Sequence, residues 1–452
     1  MWDLLILTAM DEGQKLAYEL ELAALASDQF REWAVVMDEP KNVKIGSGGS
    51  TFLCLRFLKS KYGDFSKKKI LIIHSGGFSQ RLPIASPLGK AFLAFPDGRL
   101  MVEMKLESYR KVEEFLGSGV VISSSDTLEH FHPEFDFPID ESAEVVLFGH
   151  RSSLEVGEQH GVYILGPEKS LKRVLQKPSK AEMKKNGALV GNAEVITDSF
   201  FILKGSLLSS LLNLSDSFSK SSLKCEICCY GDFLRPLGSE PLVEYIAETK
   251  DDALKLWRTR LNEIFKNRKV HTVVLPGNNT FFHFGTAQEF SENMREGSVF
   301  QSCIPVKNSV CVHSKVQPEK LQIATSSVLE YSKVGGKLEI GGNCFVSNIS
   351  TPSATNLNIP ANTTIMTIPL INGTFVTVAF ETGKNLKEAT SEWFGHKMEN
   401  PTMLWNARIF QASERERNTW NENLFLGGRN GARVPDDNIG NHEERENMYK
   451  LQ

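Results

Sequence analysis

The sequence has no long hydrophobic run. Of its 452 residues 41% are hydrophobic, yet no stretch approaches the roughly 18 unbroken apolar residues that a membrane-spanning helix needs. The amino-terminal segment carries Asp3 and Asp11 where a secretion signal would carry basic residues, and it predicts a strand instead. The expected location is therefore the cytoplasm.

Cysteine is scarce and does not follow a disulfide pattern. The seven cysteines are scattered and odd in number, which predicts reduced thiols. The tightest group is Cys225, Cys228 and Cys229. It has no second cysteine pair and no nearby histidine, so we interpret it as structural rather than as a zinc site.

Neither sign of charge dominates. The formal net charge is −4, and the charged fraction of 23% is ordinary for a globular protein. Such a chain is not expected to bind nucleic acid or a membrane surface. If its substrates are anions, they must bind in a local basic pocket.

The first three hundred residues alternate short apolar runs with helical patterns. The runs are rich in β-branched residues, as in strands buried on both faces of a sheet. The predicted strands are 4–7, 34–37, 70–73, 120–123, 145–148, 162–165, 200–203 and 272–275. This alternation predicts an α/β domain over residues 1–297 with a largely parallel sheet, whose ligand crevice lies at the carboxyl ends of the strands.

Two of the helices have recognisable starts and apolar faces. One begins at about Asp11, with Leu16, Leu20 and Ala24 spaced four apart. The other begins at about Asp251 and places four apolar residues on one face, namely Leu254, Trp257, Leu261 and Ile264.

After residue 297 the pattern changes to aliphatic residues with a period of six, broken at Gln322 and shifted once by one residue. A period of six predicts a hexapeptide-repeat β-helix over residues 298–380, the alternative being an ordinary antiparallel sheet. Residues 381–452 are expected to form a C-terminal extension that is partly disordered. The anchors are Val310, Val316, Val328, Val334, Ile340, Val346, Ile359, Ile365 and Ile371.

Two glycine-rich segments follow predicted β structure. The first, residues 45–51, contains Gly46, Gly48, Gly49 and Ser50 ahead of a helical run. Glycine permits close approach of a ligand to the backbone, and amides at a helix amino terminus favour anions. This segment is neither a P-loop nor a good dinucleotide fingerprint, and a tight turn explains it equally well.

The second glycine-rich segment, residues 74–83, carries more polar and charged side chains that could bind a phosphate. Gly76 and Gly77 are followed by Ser79 and Gln80, and the segment continues to Arg81 and later to Lys90. It is not a P-loop either, because no Gly-Lys-Ser/Thr follows at the required spacing. A glycine loop that carries both an arginine and a lysine is suited to a triphosphate.

Two further charged residues complete a set suited to nucleotidyl transfer. Asp126 follows the strand at 120–123, where a magnesium ligand belongs, and Lys177 in Gln-Lys-Pro-Ser is suited to a second phosphate. Such a transfer needs two anions held together and neutralisation of the charge that develops. Each of these charges alone is more often a surface group; their order along the chain is the stronger signal.

In this order the motifs resemble the signature of the GDP-fucose pyrophosphorylase, or fucose-1-phosphate guanylyltransferase, family. The similarity extends over roughly residues 1–410, and its main motifs are Gly-Gly-x-Ser-Gln-Arg-Leu-Pro at 76–83, Gly89-Lys90, Lys177-Pro178-Ser179, Thr197-Asp198-Ser199 and Tyr230-Gly231-Asp232-Phe233. The resemblance implies a nucleotidyltransferase-type fold that uses GTP, β-L-fucose 1-phosphate and Mg²⁺, and β-helix domains often mediate assembly into homo-oligomers.

The same resemblance implies a role for each candidate residue. In the wider superfamily a second metal ligand comes from Asp-x-Gly-Thr, but here His283 occupies that place and is a poor ligand for magnesium. Asp198 or Asp232 is then the candidate second carboxylate. The implied catalytic residues are Arg81, Lys90 and Lys177; the nucleotide-binding residues are Gly46, Gly48, Gly49, Ser50, Gly76, Gly77, Ser79 and Gln80; the metal ligands are Asp126 and Asp198; and the substrate-binding residues are His160, Gly161 and Asp232.

Two alternatives stay open at this point. One is an enzyme of the same superfamily that uses another sugar phosphate or UTP, and the other is a non-catalytic regulator that binds nucleotide. The paired charges at Arg81 with Lys90 and at Asp126 with Lys177 argue against the regulator. No kinase phosphate loop follows residue 300, so the chain is not expected to phosphorylate fucose.

Overall fold

A computed structural model describes most of the chain, in two compact units. One unit comprises residues 1–76 and 102–281, and the other comprises residues 77–101 and 282–452. No helix of the described residues is long and apolar enough to cross a bilayer. The described residues are 1–25, 27–41, 43–85, 88–95, 97–191, 193–217, 224–277, 279–295, 297–304, 311–312, 314–324, 326–351, 356–369, 373–394, 396–406, 410 and 412–413.

The first unit contains a mixed sheet whose main path has the order β10-β6-β9-β4-β3-β1-β2, with β7 pairing with β8 and β9. All eight predicted strands are confirmed. The strands are β1 (Trp2–Ala9), β2 (Phe30–Met37), β3 (Lys69–His74), β4 (Gly119–Ser124), β5 (Thr127–Glu129), β6 (Val145–Ser153), β7 (Gly161–Leu165), β8 (Leu171–Gln176), β9 (Glu194–Leu203) and β10 (Val270–Val274).

The sheet is parallel from β2 through β1 and β3 to β4, and again between β6 and β10. The strand β9 runs antiparallel to both β4 and β6 in the middle of the sheet. The prediction of a largely parallel sheet is therefore correct in outline. The reversal at β9 is invisible in its composition, because a strand buried on both faces is apolar in either direction.

Nine α-helices precede residue 266 among the described residues: α1 (Glu12–Ala24), α2 (Gly46–Tyr62), α3 (Met101–Ser108), α4 (Arg110–Phe115), α5 (Leu154–Gly157), α6 (Lys180–Lys185), α7 (Ser206–Ser217), α8 (Glu244–Glu248) and α9 (Asp252–Phe265). Both predicted starts are confirmed. Asp11 accepts a hydrogen bond from the Gln14 amide at 2.8 Å, and Asp251 accepts one from the Leu254 amide at 2.9 Å.

The predicted apolar face of α1 is wrong. Leu16 and Leu20 are 58% and 64% exposed, whereas Gln14, Tyr18 and Leu22 form the buried face. The helix is oriented by polar contacts that its apolar spacing does not reveal. The Tyr18 hydroxyl donates to the Ser75 carbonyl at 2.9 Å, and the Gln14 side chain accepts from the Met10 amide at 2.9 Å.

The core of this unit lies between the sheet and the helices α2, α7 and α9. The central strands β1, β3 and β4 are almost wholly buried, as their continuous apolar runs predict. Trp257 of α9 is 2% exposed, and its ring centroid lies 5.1 Å from that of Phe52 in α2. This packing fixes α2, which begins at the first glycine-rich segment.

Among its described residues the second unit consists of short strands, two α-helices and short 3-10 helices. Its segments after residue 280 are β11 (Phe281–His283, at the boundary), α10 (Ala287–Met294), α11 (Val299–Cys303), β12 (Cys311–Val312), β13 (Leu321–Ile323), β14 (Val328–Glu330), β15 (Lys333–Val334), β16 (Leu338–Ile340), β17 (Phe345–Ser347), β18 (Ser350–Thr351), β19 (Leu357–Ile359), β20 (Thr363–Pro369), β21 (Phe375–Glu381), β22 (Thr390–Trp393), β23 (His396–Thr402) and β24 (Ala412–Ser413).

The aliphatic period does mark stacked parallel strands. Parallel pairs link β13, β16 and β19, as well as β12, β14, β17 and β20, and also β15 and β18. Gln322, where the period breaks, is exposed. Five anchors share one core, namely Val334, Ile340, Val346, Ile359 and Ile365; Val316 packs against it, while Val310 and Ile371 lie outside the described residues.

The predicted hexapeptide-repeat β-helix is nevertheless not shown. Within the described residues the strands do not close into a solenoid. The register places Ile323, Ile340 and Ile359 on neighbouring strands, so the repeats are 17 and 19 residues long rather than uniform. The strand β21 then returns antiparallel to β20, and β22 and β23 form an antiparallel pair, which ends the parallel stacking.

The described part of the predicted C-terminal extension contains β22 and β23. The expected disorder after residue 413 falls outside the described residues. The boundaries predicted at residues 297 and 380 stay predictions.

A charge placed at one anchor tests this core. We expect Ile340→Asp to lower the free energy of unfolding by several kcal/mol, because Ile340 is 5% exposed and a carboxylate there would have no partner. Asn358→Asp is the matched control, because it introduces the same charge at an exposed position of β19. Equal unfolding midpoints for both variants in a denaturant titration would contradict burial of Ile340.

Candidate active site

The carboxyl ends of β1 and β3 hold the start of the second glycine-rich segment. The amides of Ser75 and Gly76 both donate to the Thr8 hydroxyl, at 3.1 and 3.4 Å. A Cβ atom at Gly76 would lie 3.2 Å from the Ala9 carbonyl carbon and from the Met10 nitrogen. Gly76 is thus required by close approach to the end of β1. The Tyr18 hydroxyl supports this segment by donating to the Ser75 carbonyl. The sequence did not predict this role, because the apolar residues around Tyr18 indicated a different buried face for α1.

His74, the last residue of β3, links this edge to α2. Its Nε2 lies 3.0 Å from the Thr51 hydroxyl, and its Nδ1 lies 3.4 Å from the Thr8 hydroxyl. Burial lowers the pKa of His74 to about 4. The imidazole is therefore neutral at pH 7 and connects two elements rather than supplying a cation.

The first glycine-rich segment packs against residues 225–229. The Gly48 amide donates to the Ile227 carbonyl at 2.7 Å, and a Cβ atom at Gly48 would lie 2.5 Å from Ile227 Cγ2. Added Cβ atoms at Gly46 and Gly49 would likewise press on Ile227 and Ile45. These glycines have a packing function in the structure. Their role in nucleotide binding stays a prediction.

Two side chains of the same segment also form hydrogen bonds within the protein. The buried Ser50 hydroxyl donates to Asp38 at 2.6 Å, and the Cys229 amide donates to the Ser47 hydroxyl at 3.0 Å. The six cysteines whose side chains are described are free thiols, with Cys225 and Cys229 buried. The structural interpretation of this cysteine group is consistent with that burial.

Asp126 lies directly beyond β4 and is half-buried. The Ser124 hydroxyl donates to its carboxylate, and the Ser125 amide donates to the His74 carbonyl at 3.1 Å, so the segment is held from two sides. The negative charge of Asp126 also favours protonation of the nearby Lys105.

A wholly buried ion pair supports the segment that carries Asp126. Lys105 and Glu129 are both 0% exposed, and the Lys105 ammonium donates to Glu129 at 3.0 Å, to Thr127 at 3.2 Å and to Tyr109 at 3.2 Å. Glu129 also accepts from Tyr109 at 2.7 Å and from Ser199 at 2.9 Å. Burial lowers the pKa of Lys105, whereas the Glu129 carboxylate raises it. The network joins α3, the residue that follows it, β5 and β9 close to Asp126, and no sequence motif indicates it.

A second group of candidates meets at the start of β7. Gly161 pairs with Gln176, and the Lys177 amide donates to the His160 carbonyl at 3.0 Å. The His160 Nδ1 atom lies 3.5 Å from the Asp198 carboxylate. A Cβ atom at Gly161 would collide with the Asp198 carboxylate, so only glycine leaves room for that side chain. Four predicted site residues, from β7, β8 and β9, are thus neighbours.

Lys177 is exposed and adopts a left-handed conformation, with φ of 47°. Non-glycine residues adopt this conformation uncommonly, and such residues are enriched at functional sites. Among the described residues its ammonium has no ion-pair partner, so it is available to an anion.

Several buried polar atoms near this group have no hydrogen-bond partner among the described residues. They include the Gln176 Oε1 atom, the hydroxyls of Tyr163 and Tyr230, and the His150 Nδ1 atom. Buried polar atoms are nearly always paired in a folded protein. These atoms therefore favour a polar ligand or bound water beside Asp198, whose charge raises the pKa of both tyrosines after the larger effect of burial.

Asp232 lies in a different environment from the group at the start of β7. It is 1% exposed, and its carboxylate accepts from Arg258 at 2.8 Å, from Arg235 at 3.1 Å and from the Cys228 amide at 2.8 Å. These contacts hold the π-helical turn Cys229–Phe233. Substrate binding by Asp232 stays a prediction, and its oxygens already have partners.

The rest of the second glycine-rich segment belongs to the second unit. Gly77 and Ser79 have φ of 134° and 45°, and the Leu82 amide donates to the Ser79 carbonyl at 2.8 Å. The Arg81 carbonyl accepts from the Ala287 amide at 3.0 Å. The guanidinium of Arg81, a half-buried residue, has no hydrogen-bond or ion-pair partner among the described residues, in contrast to the paired Arg99 of the same unit.

Lys90 is tethered to the segment that contains His283. Its ammonium donates to the Gly285 carbonyl at 3.2 Å. The His283 Nδ1 atom lies 2.8 Å from the Glu289 carboxylate, and the Thr286 hydroxyl caps α10 by accepting from the Glu289 amide at 3.1 Å. The imidazole thus lies within hydrogen-bond distance of Glu289.

No three His, Cys, Asp or Glu side chains converge as a metal site within the part of the chain that the structure describes. Magnesium usually keeps several waters and needs only one or two protein carboxylates beside substrate phosphates. Asp126 supplies one oxygen donor of the preferred kind, at the edge of the sheet where β4 ends.

The chain is similar to proteins of a known family. Residues 63–426 match the family described as the fucose pyrophosphorylase domain, and the chain belongs to that family. It is 29% identical to human fucose-1-phosphate guanylyltransferase, covering 94% of this chain and 81% of the human protein. The mouse protein of the same name is also 29% identical, with 94% of this chain and 83% of that protein covered.

A longer relative shares only part of its length with this chain. The chain is 25% identical to the L-fucokinase/L-fucose-1-P guanylyltransferase of Bacteroides fragilis, covering 76% of this chain and 37% of that protein.

The buried ion pair offers a test of the supporting network. We expect Lys105→Met to lower the free energy of unfolding by about 3–5 kcal/mol, because it leaves the Glu129 charge buried and unpaired. The double variant Lys105→Met/Glu129→Gln should recover much of that loss, since neither charge then remains. Strictly additive losses in urea unfolding would contradict the coupling.

Proposed function

We propose that the protein is a fucose-1-phosphate guanylyltransferase. A phosphate oxygen of β-L-fucose 1-phosphate attacks the α-phosphorus of GTP, the bond from that phosphorus to the β-phosphate oxygen breaks, and GDP-L-fucose and pyrophosphate form. The observation that carries the proposal is the match over 94% of the chain to the human and mouse fucose-1-phosphate guanylyltransferases.

The triphosphate is assigned to the second glycine-rich segment. Arg81 offers a guanidinium without a described partner on a backbone held by hydrogen bonds, and Lys90 follows on a tethered turn. A fixed cation beside the α- and β-phosphate oxygens stabilises the charge that develops as pyrophosphate leaves. Gly77, Ser79 and Gln80 provide the turn that presents Arg81.

The sugar phosphate is assigned to the group at the start of β7. The Lys177 ammonium is suited to the phosphate, and the unpartnered buried polar atoms beside the Asp198 carboxylate are suited to sugar hydroxyls, which donate hydrogen bonds. The imidazole of His160 orients that carboxylate. Gln176, with its unpartnered Oε1 atom, joins the same pocket, although it was not among the predicted site residues.

Magnesium is proposed as the cofactor, with Asp126 as its protein ligand and Asp198 as the candidate second one. When bound, the ion would neutralise charge on the phosphate oxygens. The hydroxyl of Ser124 orients the Asp126 carboxylate, and the Lys105–Glu129 network fixes the segment that presents it.

A cytoplasmic location and assembly into a homo-oligomer are part of the same proposal. The free thiols of the described cysteines support a reducing compartment. Neither nucleic acid nor a membrane is proposed as a partner.

Pyrophosphate release over a matrix of nucleoside triphosphates and sugar 1-phosphates tests the substrates. We expect GTP with fucose 1-phosphate to give the highest rate. A higher rate for UTP with glucose or N-acetylglucosamine 1-phosphate would replace the substrate assignment and keep the reaction class. No release with any pair would favour the regulator.

Arg81→Lys tests the triphosphate site. We expect turnover at saturating GTP to fall by about 10²–10³-fold, because an ammonium cannot contact two phosphate oxygens in the geometry of a guanidinium. Arg99→Lys is the control, since Arg99 is already paired with Asp97 in the same unit, and it should be nearly silent. Near-normal turnover of folded Arg81→Lys would refute the assignment.

Lys177→Ala tests the sugar-phosphate site. We expect it to weaken use of fucose 1-phosphate more than binding of GTP, because its ammonium is assigned to the acceptor phosphate. Lys180→Ala removes a nearby lysine that is paired with Glu155 and should leave both unchanged. Equal losses for both substrates in a binding titration would remove the special role of Lys177.

A further inference from the structure

The backbone that presents Arg81 is fixed at two consecutive carbonyls. The Arg81 carbonyl accepts from the Ala287 amide at 3.0 Å, and the Gln80 carbonyl accepts from the indole Nε1 of Trp405 at 2.9 Å. Trp405 lies 325 residues beyond Gln80 but in the same compact unit. The hydrogen bond from Ala287 comes from the backbone, so only the one from Trp405 depends on a side chain.

Trp405 is held firmly enough to serve as a support. It is 9% exposed and belongs to the short 3-10 helix Leu404–Asn406. Its ring lines a small apolar cavity together with Pro83, Val378, Phe380 and Leu386. Pro83 begins the turn that follows Leu82, so the indole ring and the glycine-rich segment line the same apolar cavity.

We infer that Trp405 is a positioning residue for Arg81. The inference rests on the proposed function only in that Arg81 is taken to bind the triphosphate. The two fixed carbonyls flank the Cα of Arg81, so they determine the direction in which its side chain leaves the loop. Without the indole N–H, the Gln80 carbonyl loses this hydrogen bond, the peptide between Gln80 and Arg81 is held less firmly, and the guanidinium is positioned less precisely.

Trp405→Phe removes the indole N–H and keeps an aromatic ring, and Trp393→Phe is its matched control. Trp393 also donates its indole N–H to a backbone carbonyl, that of Ala379, at 2.9 Å, but outside the glycine-rich segment. Loss of one such hydrogen bond changes an equilibrium constant by about fivefold. We expect Trp405→Phe to raise both the Kd and the KM for GTP by at least that factor, with the KM for fucose 1-phosphate changed less than twofold and with thermal stability matching that of Trp393→Phe.

Hydrogen exchange provides a readout that does not depend on the activity. We expect the amides of Leu82 and Ala85, which donate to the Ser79 and Leu82 carbonyls, to exchange faster in Trp405→Phe and at the wild-type rate in Trp393→Phe. Unchanged exchange over residues 77–85 would overturn the inference, as would equal effects of the two variants on GTP binding. If the wild-type protein transfers no guanylyl group, the proposed function fails, whereas the exchange experiment still decides whether Trp405 holds the loop.

Discussion

The positions of Gly76 and Asp126 depend on the parallel register of β1, β3 and β4. These strands are buried on both faces and end at one edge of the sheet. Because their carboxyl ends are fixed together, Thr8 can receive the amides of Ser75 and Gly76, and the segment after β4 can place Asp126 beside them. The hydrophobic core thus determines where the polar chemistry lies.

Several glycines make room for atoms packed closely against them. Gly76 makes room for the end of β1, Gly48 for Ile227, and Gly161 for the Asp198 carboxylate. Only the last of these opens space for a charged side chain. A glycine-rich motif in the sequence therefore does not by itself distinguish a phosphate loop from a packing contact, and the charged residues that follow it are more informative.

The features that could be predicted from the sequence are those that depend on residues close together in the chain. Apolar runs located eight strands, and Asp11 and Asp251 marked two helix starts, because a side-chain cap depends only on the next three residues. Features that depend on contacts between residues far apart in the chain could not be predicted in this way. The buried face of α1 depends on Ser75, the Lys105–Glu129 pair joins residues 24 apart, and Trp405 reaches Gln80 across 325 residues. The clustering of His160, Gly161, Lys177 and Asp198 also needed the antiparallel pairing of β7 with β8 and β9.

The reverse reaction tests the central claim most directly, because a nucleotidyltransferase that releases pyrophosphate must also consume it. Purified protein should convert GDP-L-fucose and labelled pyrophosphate into labelled GTP, and the label should not enter UTP from UDP-glucose. Failure to label GTP under conditions in which the protein binds GTP would contradict a guanylyltransferase. Labelling of UTP instead would contradict the assignment of fucose and guanine.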